Sequence, residues 1–189
     1  MTAKPESTGL QRLRLAPLLD LVERRWSIPV LAELHRGSGA KFVTLAHRLD
    51  VGRGSLSATL NHLIELGLIC RNPGHGHPMR PEYLLTDRGR QAARHCAALA
   101  RVVGDKDADV AYRKWSLPLI AVIGDGRVRF RDLRRSLTGA TPRAITLGLK
   151  GLIERQWIER SVLDGYPPAA GYYLRAPGKR VYANLAGLY

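Results

Sequence analysis

The sequence predicts a mainly α-helical chain with small β-hairpins, an α+β arrangement built from two copies of one unit in tandem. Three observations carry this reading. The segment Arg25 to Leu34 (RWSIPVLAEL) returns at Lys114 to Ile123 as KWSLPLIAVI, with Trp26 and Trp115, and Pro29 and Pro118, each 89 residues apart. The correspondence then continues: Lys41 to Leu49 (KFVTLAHRL) aligns with Arg129 to Leu137 (RFRDLRRSL) at a spacing of 88. The spacing is 89 again from Leu60/Leu149 through Arg71/Arg160, Tyr83/Tyr172, Leu85/Leu174 and Gly89/Gly178, so two single-residue indels cancel. Finally, GDKDAD breaks the helical pattern between Val103 and Asp109 and marks a seam. The expected organisation is a loose polar lead-in at 1–9, a first unit at 10–103 and a second at 104–189.

Each unit divides by hydrophobic period. In the first, Leu15 to Arg24 is a helix with Leu18, Leu19 and Val22 on one face. A second helix opens at Trp26 or Ser27 and runs to His35, with Pro29 in the first turn, where a missing N–H does no harm. Gly37 and Gly39 end it. A short third helix follows at Thr44 to Leu49, then a turn at Gly52 and Gly54. The fourth helix, Ser55 to Leu66, buries Leu56, Leu60, Leu63 and Ile64, and Gly67 closes it as the C′ residue. Strands are expected at Leu68 to Arg71 and Glu82 to Leu85, around the Gly/Pro-rich loop NPGHGHPMRP, and Thr86 caps a long helix towards Ala100. The second unit repeats the order, with helices at Asp107–Tyr112, Lys114–Ile123, Phe130–Ser136 and Pro142–Arg155. Its strands lie near Trp157–Ser161 and Tyr172–Leu174, and its last helix spans about Pro177 to Ala186.

Three helices followed by a two-stranded hairpin is the winged helix layout, and a short helix, tight turn and second helix form a helix-turn-helix. The blocks KWSLPLI, RFRDLRRSL, TPRAITLGL and EYLLTDRGR resemble those of the HxlR-type transcriptional regulators, a branch of the MarR-like winged helix group. The resemblance covers roughly Leu15 to Ala186. Members of that family usually carry one such unit and pair through terminal helices, so two units in one chain imply an intramolecular pseudo-dimer. The copies depart from the family pattern in opposite ways. The first keeps Tyr83, Leu85, Thr86 and Gly89 but has Gly52-Arg53-Gly54 where the recognition helix should start with Ser-Pro. The second keeps Thr141-Pro142 but has Leu174-Arg175 in place of Leu-Thr. Some redox-sensing members use a cysteine ahead of the first helix, whereas no cysteine precedes Cys70 here.

Charge points the same way. Thirty basic residues against 16 acidic give a net +14, spread as 14 against 8 in residues 1–100 and 16 against 8 in residues 101–189. Both folded halves therefore attract polyanions, nucleic acid or an anionic membrane surface. Arg-rich coding is the bland alternative, since 24 of the 30 are Arg. No apolar run approaches the ~20 residues of a membrane span, and Met1 to Gly9 lacks a signal-peptide core, so a cytoplasmic protein is expected. Cys70 and Cys96 are too few for a disulfide framework or four-ligand zinc site and are expected as small buried hydrophobes. Trp26 and Trp115 are expected as core anchors. No serine-hydrolase elbow, zinc-protease, phosphate-loop or Cys-x-x-Cys signature is present, so neither enzymatic activity nor a cofactor is expected.

The candidate DNA-binding residues follow from the layout. Thr141 before Pro142 is N-cap chemistry, and with Ile145, Leu149, Leu152 and Ile153 inward the helix presents Arg143, Thr146, Leu147 and Lys150. Arg143 suits guanine or phosphate. The first-unit face offers Arg53, Ser55, Ser57, Thr59, Asn61 and His62, a less basic set. In the run Arg127 to Arg135, Phe130, Leu133 and Leu137 face the core, which makes Arg129 and Arg131 phosphate clamps and leaves Arg134 and Arg135 to solvent. His75, His77 and Arg80 in the first wing suit phosphate or minor-groove contact, while His75-x-His77 as half of a metal site lacks a nearby Cys or carboxylate. The second wing, LDGYPPAAG, has no basic residue. Three functions remain open at this point: an operator-binding regulator, expected as a repressor, a small-molecule binder or sensor on the same scaffold, and an architectural DNA binder without sequence preference. Double-stranded DNA is the expected partner, with an unidentified small-molecule effector and further homodimerisation left open.

Overall fold

The computed structural model describes residues 15–37, 39–72, 81–163 and 169–188. Helix α1 covers 15–21 and buries Leu15, Leu18 and Leu21. Helix α2 (Ser27–Arg36) begins at Trp26 and stops at Gly37, whose backbone is extended. Strand β1 (Ala40–Lys41) leads directly into α3 (Phe42–Arg48) and then α4 (Arg53–Glu65). Strands β2 (Ile69–Asn72) and β3 (Glu82–Leu85) pair antiparallel with Ile69 opposite Leu85, and β1 adds to the free side of β3, giving the order β1-β3-β2. Helix α5 spans Asp87–Ala111 but leaves helical geometry at Gly104 (φ 66°, ψ 171°), the left-handed side that glycine adopts without penalty.

The second copy repeats the order with α6 (Ser116–Gly124), α7 (Phe130–Ser136), α8 (Pro142–Glu154), β4 (Ile158–Leu163), β5 (Ala169–Leu174) and α9 (Ala176–Leu185). Its wing strands are longer than the pattern suggested, and a single bridge between Arg129 and Gly171 stands where the first copy has β1. The fold is thus mainly helical with small antiparallel hairpins, as expected. The chain divides into two compact units. One comprises Leu21–Val102 with Leu188, and the other comprises Val103–Gly187 with residues 15–20 of α1. In the first, Leu56, Leu60 and Leu63 of α4 bury beside Ile28, Leu31 and Leu34 of α2. In the second, Ile145, Leu149 and Leu152 of α8 meet α6, which is apolar after Ser116. No helix among the described residues is long and apolar enough to cross a membrane.

The strongest shared constraint is a glycine. A Cβ on Gly89 would lie 1.7 Å from the Leu68 carbonyl oxygen, and one on Gly178 would lie 2.2 Å from that of Trp157. In both copies the helix after the hairpin rests on the backbone entering it, at a distance only glycine permits. Thr86 adds a cap in the first copy: its hydroxyl donates to Gly67 O at 2.7 Å and accepts from Gly89 N at 3.0 Å. Arg175 holds the matching position without a side-chain cap. The two units are also locked differently. Glu33, 7% exposed, accepts from Arg48 at 2.7 Å and Arg36 at 3.2 Å, joining α2 to α3. In the second unit, Arg155 at the end of α8 donates to Lys106 O, Asp107 Oδ1 and Asp109 Oδ1 at 2.6, 2.8 and 3.0 Å.

Several expectations need correction. Cys70 is exposed, because in a pleated strand it faces away from its neighbour Ile69, whereas Cys96 is buried as expected. Burial pushes the Cys96 thiol up to about 12. Trp26 and Trp115 sit half-buried at helix starts, with Arg25 and Lys114 over their rings at 5.8 and 5.5 Å, so neither is a core anchor. The fully buried indole is Trp157. Thr59 is 1% exposed, on the same face as Leu56 and Leu63, while Ile64 turns outward at 37%, Ile153 is half-buried and Leu19 and Phe130 are only partly covered. The turn before α4 also differs from its glycine-based reading. Gly52 is the extended N-cap, Gly54 lies inside the helix, and the left-handed residue is Asp50 (φ 46°), where the second copy has Gly139 (φ 93°).

Candidate nucleic-acid interface

Helix α8 starts as its sequence demands. Thr141 has the extended backbone of an N-cap, its hydroxyl accepts from Ala144 N at 3.2 Å, and Pro142 fills the first helical position. Burial of Ile145, Leu149 and Leu152 turns Arg143, Thr146, Leu147 and Lys150 outward, and all four are exposed, Leu147 at 54%. The spacing of three and four residues keeps them on one helix face. No acidic residue stands in the first turn, and Glu154, the acidic residue of the helix, lies 3.9 Å from Lys150 in an exposed pair that water screens. The Thr146 hydroxyl donates to Pro142 O at 2.9 Å, so it meets a ligand chiefly as an acceptor.

Arg129 is the half-buried N-cap of α7, and Arg131 is exposed two residues further on, with Nε 3.7 Å from Asp132 Oδ1. Arg134 and Arg135 are exposed on the same short helix. Helix α7 packs against α8, so the cations of both helices belong to one helix-turn-helix. On α4 the residues Arg53, Ser55, Ser57 and Asn61 are exposed, and Thr59 drops out because its hydroxyl donates to Ser55 O at 2.8 Å from within the core. His75, His77 and Arg80 lie outside the described residues. Among the described residues no group of three or more His, Cys, Asp or Glu is disposed to hold a metal.

One feature escaped the sequence reading. A cavity of about 460 Å³ opens beside α8, lined by Trp115, Ser116, Leu147, Gly148, Lys150 and Gly151 among others. Its signal was present in the repeat alignment, where Gly148 and Gly151 oppose Thr59 and His62.

Two matched units, each with a helix-turn-helix followed by an antiparallel hairpin, define a tandem winged helix-turn-helix protein. The HxlR-like helix-turn-helix family model matches residues 21–107 and again 110–189, and the chain belongs to that family. Among curated relatives it is 43% identical over 72 residues to an uncharacterised HTH-type transcriptional regulator of Mycobacterium tuberculosis, covering 38% of this chain and 45% of that one. It is 32% identical over 75 residues to another of Methanothermobacter thermautotrophicus, covering 40% and 57%, and 27% identical over 75 residues to YtfH of Escherichia coli, covering 40% and 60%. The matches thus span about half the length of these relatives. A solved structure described as that of "a possible HxlR family transcriptional factor" from Thermoplasma volcanium aligns with 20% identity and a TM-score of 0.34, covering 61% of this chain and 88% of that one.

Proposed function

We propose that this chain is a DNA-binding transcriptional regulator that recognises specific sequences in double-stranded DNA, acts as a repressor, and does so as a covalent pseudo-dimer in the cytoplasm. The observation that carries the reading is the outward face of α8: a capped helix preceded by a matched turn, presenting Arg143, Thr146 and Lys150 with no acid in its first turn. A helix so placed in a winged unit fits the major groove, and Arg143 has the reach and fork geometry for guanine. Arg129 and Arg131 serve as phosphate contacts that set register, and the net charge of +14 supplies the salt-dependent attraction. Regulators named in the matching relatives support the same reading.

The two recognition helices differ at every matched outward position: Arg143 against Gly54, Thr146 against Ser57, Lys150 against Asn61. One chain therefore prefers an asymmetric pair of half-sites over a palindrome, and the joined second unit binds at an effective concentration set by the connection at Gly104. Selection of bound duplexes from a random pool, followed by sedimentation on the enriched site, tests this. An asymmetric motif with one chain per duplex is expected, and a palindrome holding two chains would overturn the pseudo-dimer. On that site Arg143→Ala costs about 1–3 kcal/mol of affinity and Ser55→Ala less. If both variants bind like the parent chain, neither helix touches DNA.

A further inference from the structure

We propose that Leu147 reads the 5-methyl group of a thymine, and that this thymine lies within about two base pairs of the guanine bound by Arg143. The inference rests on the DNA-binding function proposed above and adds a second base to the half-site of α8. Four large apolar side chains stand exposed among the described residues: Val43, Ile64, Leu147 and Val162. Leu147 is the one on the outward face of α8, in the company of Arg143, Thr146 and Lys150. It shares the rim of the hollow with Trp115, yet it remains 54% exposed, so packing within the unit leaves most of it uncovered.

The geometry of the helix says what could cover it. Arg143 stands one turn before Leu147 on this face and Lys150 one turn after, so a polyanion drawn to the two cations is brought against the leucine. In the major groove a leucine has no polar group to offer, and the apolar feature it can meet there is the thymine methyl. Arg143 and Leu147 are four residues apart, which places them about 6 Å apart along the helix axis and about 40° around it. Base pairs rise by about 3.4 Å, so a guanine under Arg143 puts the thymine within about two steps, on either strand. The first copy lacks this reader. Gly54 stands at the position of Arg143, and Ala58, half-buried, stands at that of Leu147. Alanine ends at Cβ, short of the surface that leucine reaches, so the methyl requirement belongs to one half-site.

The test removes the methyl from the DNA. Duplexes selected by the full chain are resynthesised with each thymine in turn replaced by deoxyuridine, which keeps the pairing and lacks the methyl. Affinity is read by fluorescence anisotropy at fixed salt. One replacement, beside the guanine for which Arg143→Ala loses its preference, should weaken wild-type binding about fourfold, the transfer of one methyl group out of water. Leu147→Ala should bind the thymine and deoxyuridine duplexes equally, whereas Leu147→Met, apolar and of similar volume, should keep the preference. Should Leu147→Ala fail to fold by circular dichroism, Leu147→Gln, a polar helix former, takes its place. A deoxyuridine scan of the wild type with no penalty at any position overturns the proposal and needs no variant. An enriched motif with no thymine within about two base pairs of that guanine overturns it too. So does a penalty that survives in the folded Leu147 variant, and one that vanishes in Thr146→Ser instead assigns the methyl to Thr146. A chain that binds duplex without any methyl penalty refutes this inference alone. A chain with no affinity for any duplex refutes the proposed function, and the inference falls with it.

Discussion

Replacing Gly89 by alanine sets two effects of opposite sign against each other. Inside a helix the change should help, by about 0.5–1 kcal/mol, because glycine sacrifices more backbone entropy. Against this stands the carbonyl of Leu68. The new Cβ would lie 1.7 Å from its oxygen and 2.7 Å from its carbon, both backbone atoms that cannot swing aside. Carbon and oxygen need about 3.2 Å even in close contact, so α5 or the β2 entry must move by more than an ångström. That displacement strains the bonds Leu68 O accepts from Thr86 N and Thr86 Oγ1, at 3.1 and 3.2 Å. Overpacking costs about 1–3 kcal/mol and each weakened hydrogen bond about 1 kcal/mol. After subtracting the helix gain, a net loss of about 2–4 kcal/mol remains. At roughly 2–4 °C per kcal/mol for a chain of this size, the thermal midpoint followed by circular dichroism should fall by about 5–15 °C. Gly178→Ala should cost less, because its Cβ would stand 2.2 Å from the Trp157 oxygen, which accepts a single bond from Arg175 N. Gly54→Ala is the control: it is helical with nothing within 4 Å of a new Cβ, and should raise the midpoint. A Gly89→Ala chain melting at or above the parent temperature would refute the close-approach argument.

Gln156 holds a left-handed backbone (φ 57°) where the first copy uses Gly67. Gln156→Gly should therefore stabilise the chain by about 1 kcal/mol in urea denaturation, against the usual direction for glycine. The two thiols should separate chemically: exposed Cys70 reacts with a thiol reagent in the folded chain at pH 8, and Cys96 only after denaturation. Because burial raises the Cys96 thiol from 9.0 to about 12, the folded chain holds that proton more tightly. Its contribution to stability is complete below pH 9 and is lost as pH rises towards 12. A Cys96→Ala chain should lack this alkaline component in pH-dependent melting. Arg155→Ala removes three hydrogen bonds at the end of α8 from a residue whose side chain is 29% exposed. It should cost about 1–2 kcal/mol after solvent screening, read as faster amide exchange in the last turn of α8 than in its first.

Periodicity sufficed for α4, α7 and α8, each with an apolar face and a clear stop. It did not suffice for α5, whose pattern predicts an end near Ala100 ahead of a separate helix at Asp107–Tyr112, and which instead runs as Asp87–Ala111 with its break at Gly104. Nor did it for α1, which ends at residue 21 and not at Arg24. Phe130–Ser136 is found as expected, and α8 begins at Pro142 because cap and proline agree on one start. Other failures came where one residue of backbone phase decides the outcome. Cys70 follows two apolar residues and looks buried until the pleat alternates, and Ile64 sits one position past Leu63, a rotation of about 100°. Strand β1 was invisible, since two residues have no period and owe their extended form to pairing with β3. The turn glycines misled for a different reason: a glycine permits a left-handed backbone without requiring it, and Asp50 took that role. At the site, exposure of the α8 face could be read from the spacing of its inward leucines. The hollow beside it could not, because it lies between two segments far apart in the chain, 113–116 and 144–154, with glycine at Gly148 and Gly151.

A duplicated chain is its own alignment. Since its copies parted, each has drifted under the same backbone geometry but under separate demands, so a position kept twice reports geometry and a position kept once reports history. Gly89 and Gly178 both remain beside a carbonyl that admits nothing larger, although the cap three residues earlier survives as Thr86 in one copy and has become Arg175 in the other. Loss of a cap costs about 1 kcal/mol; intrusion on the main chain costs more. Engineering should respect that order. Recognition surfaces, caps and locks of this scaffold are open to exchange between its halves, and the two glycines mark where exchange has to stop.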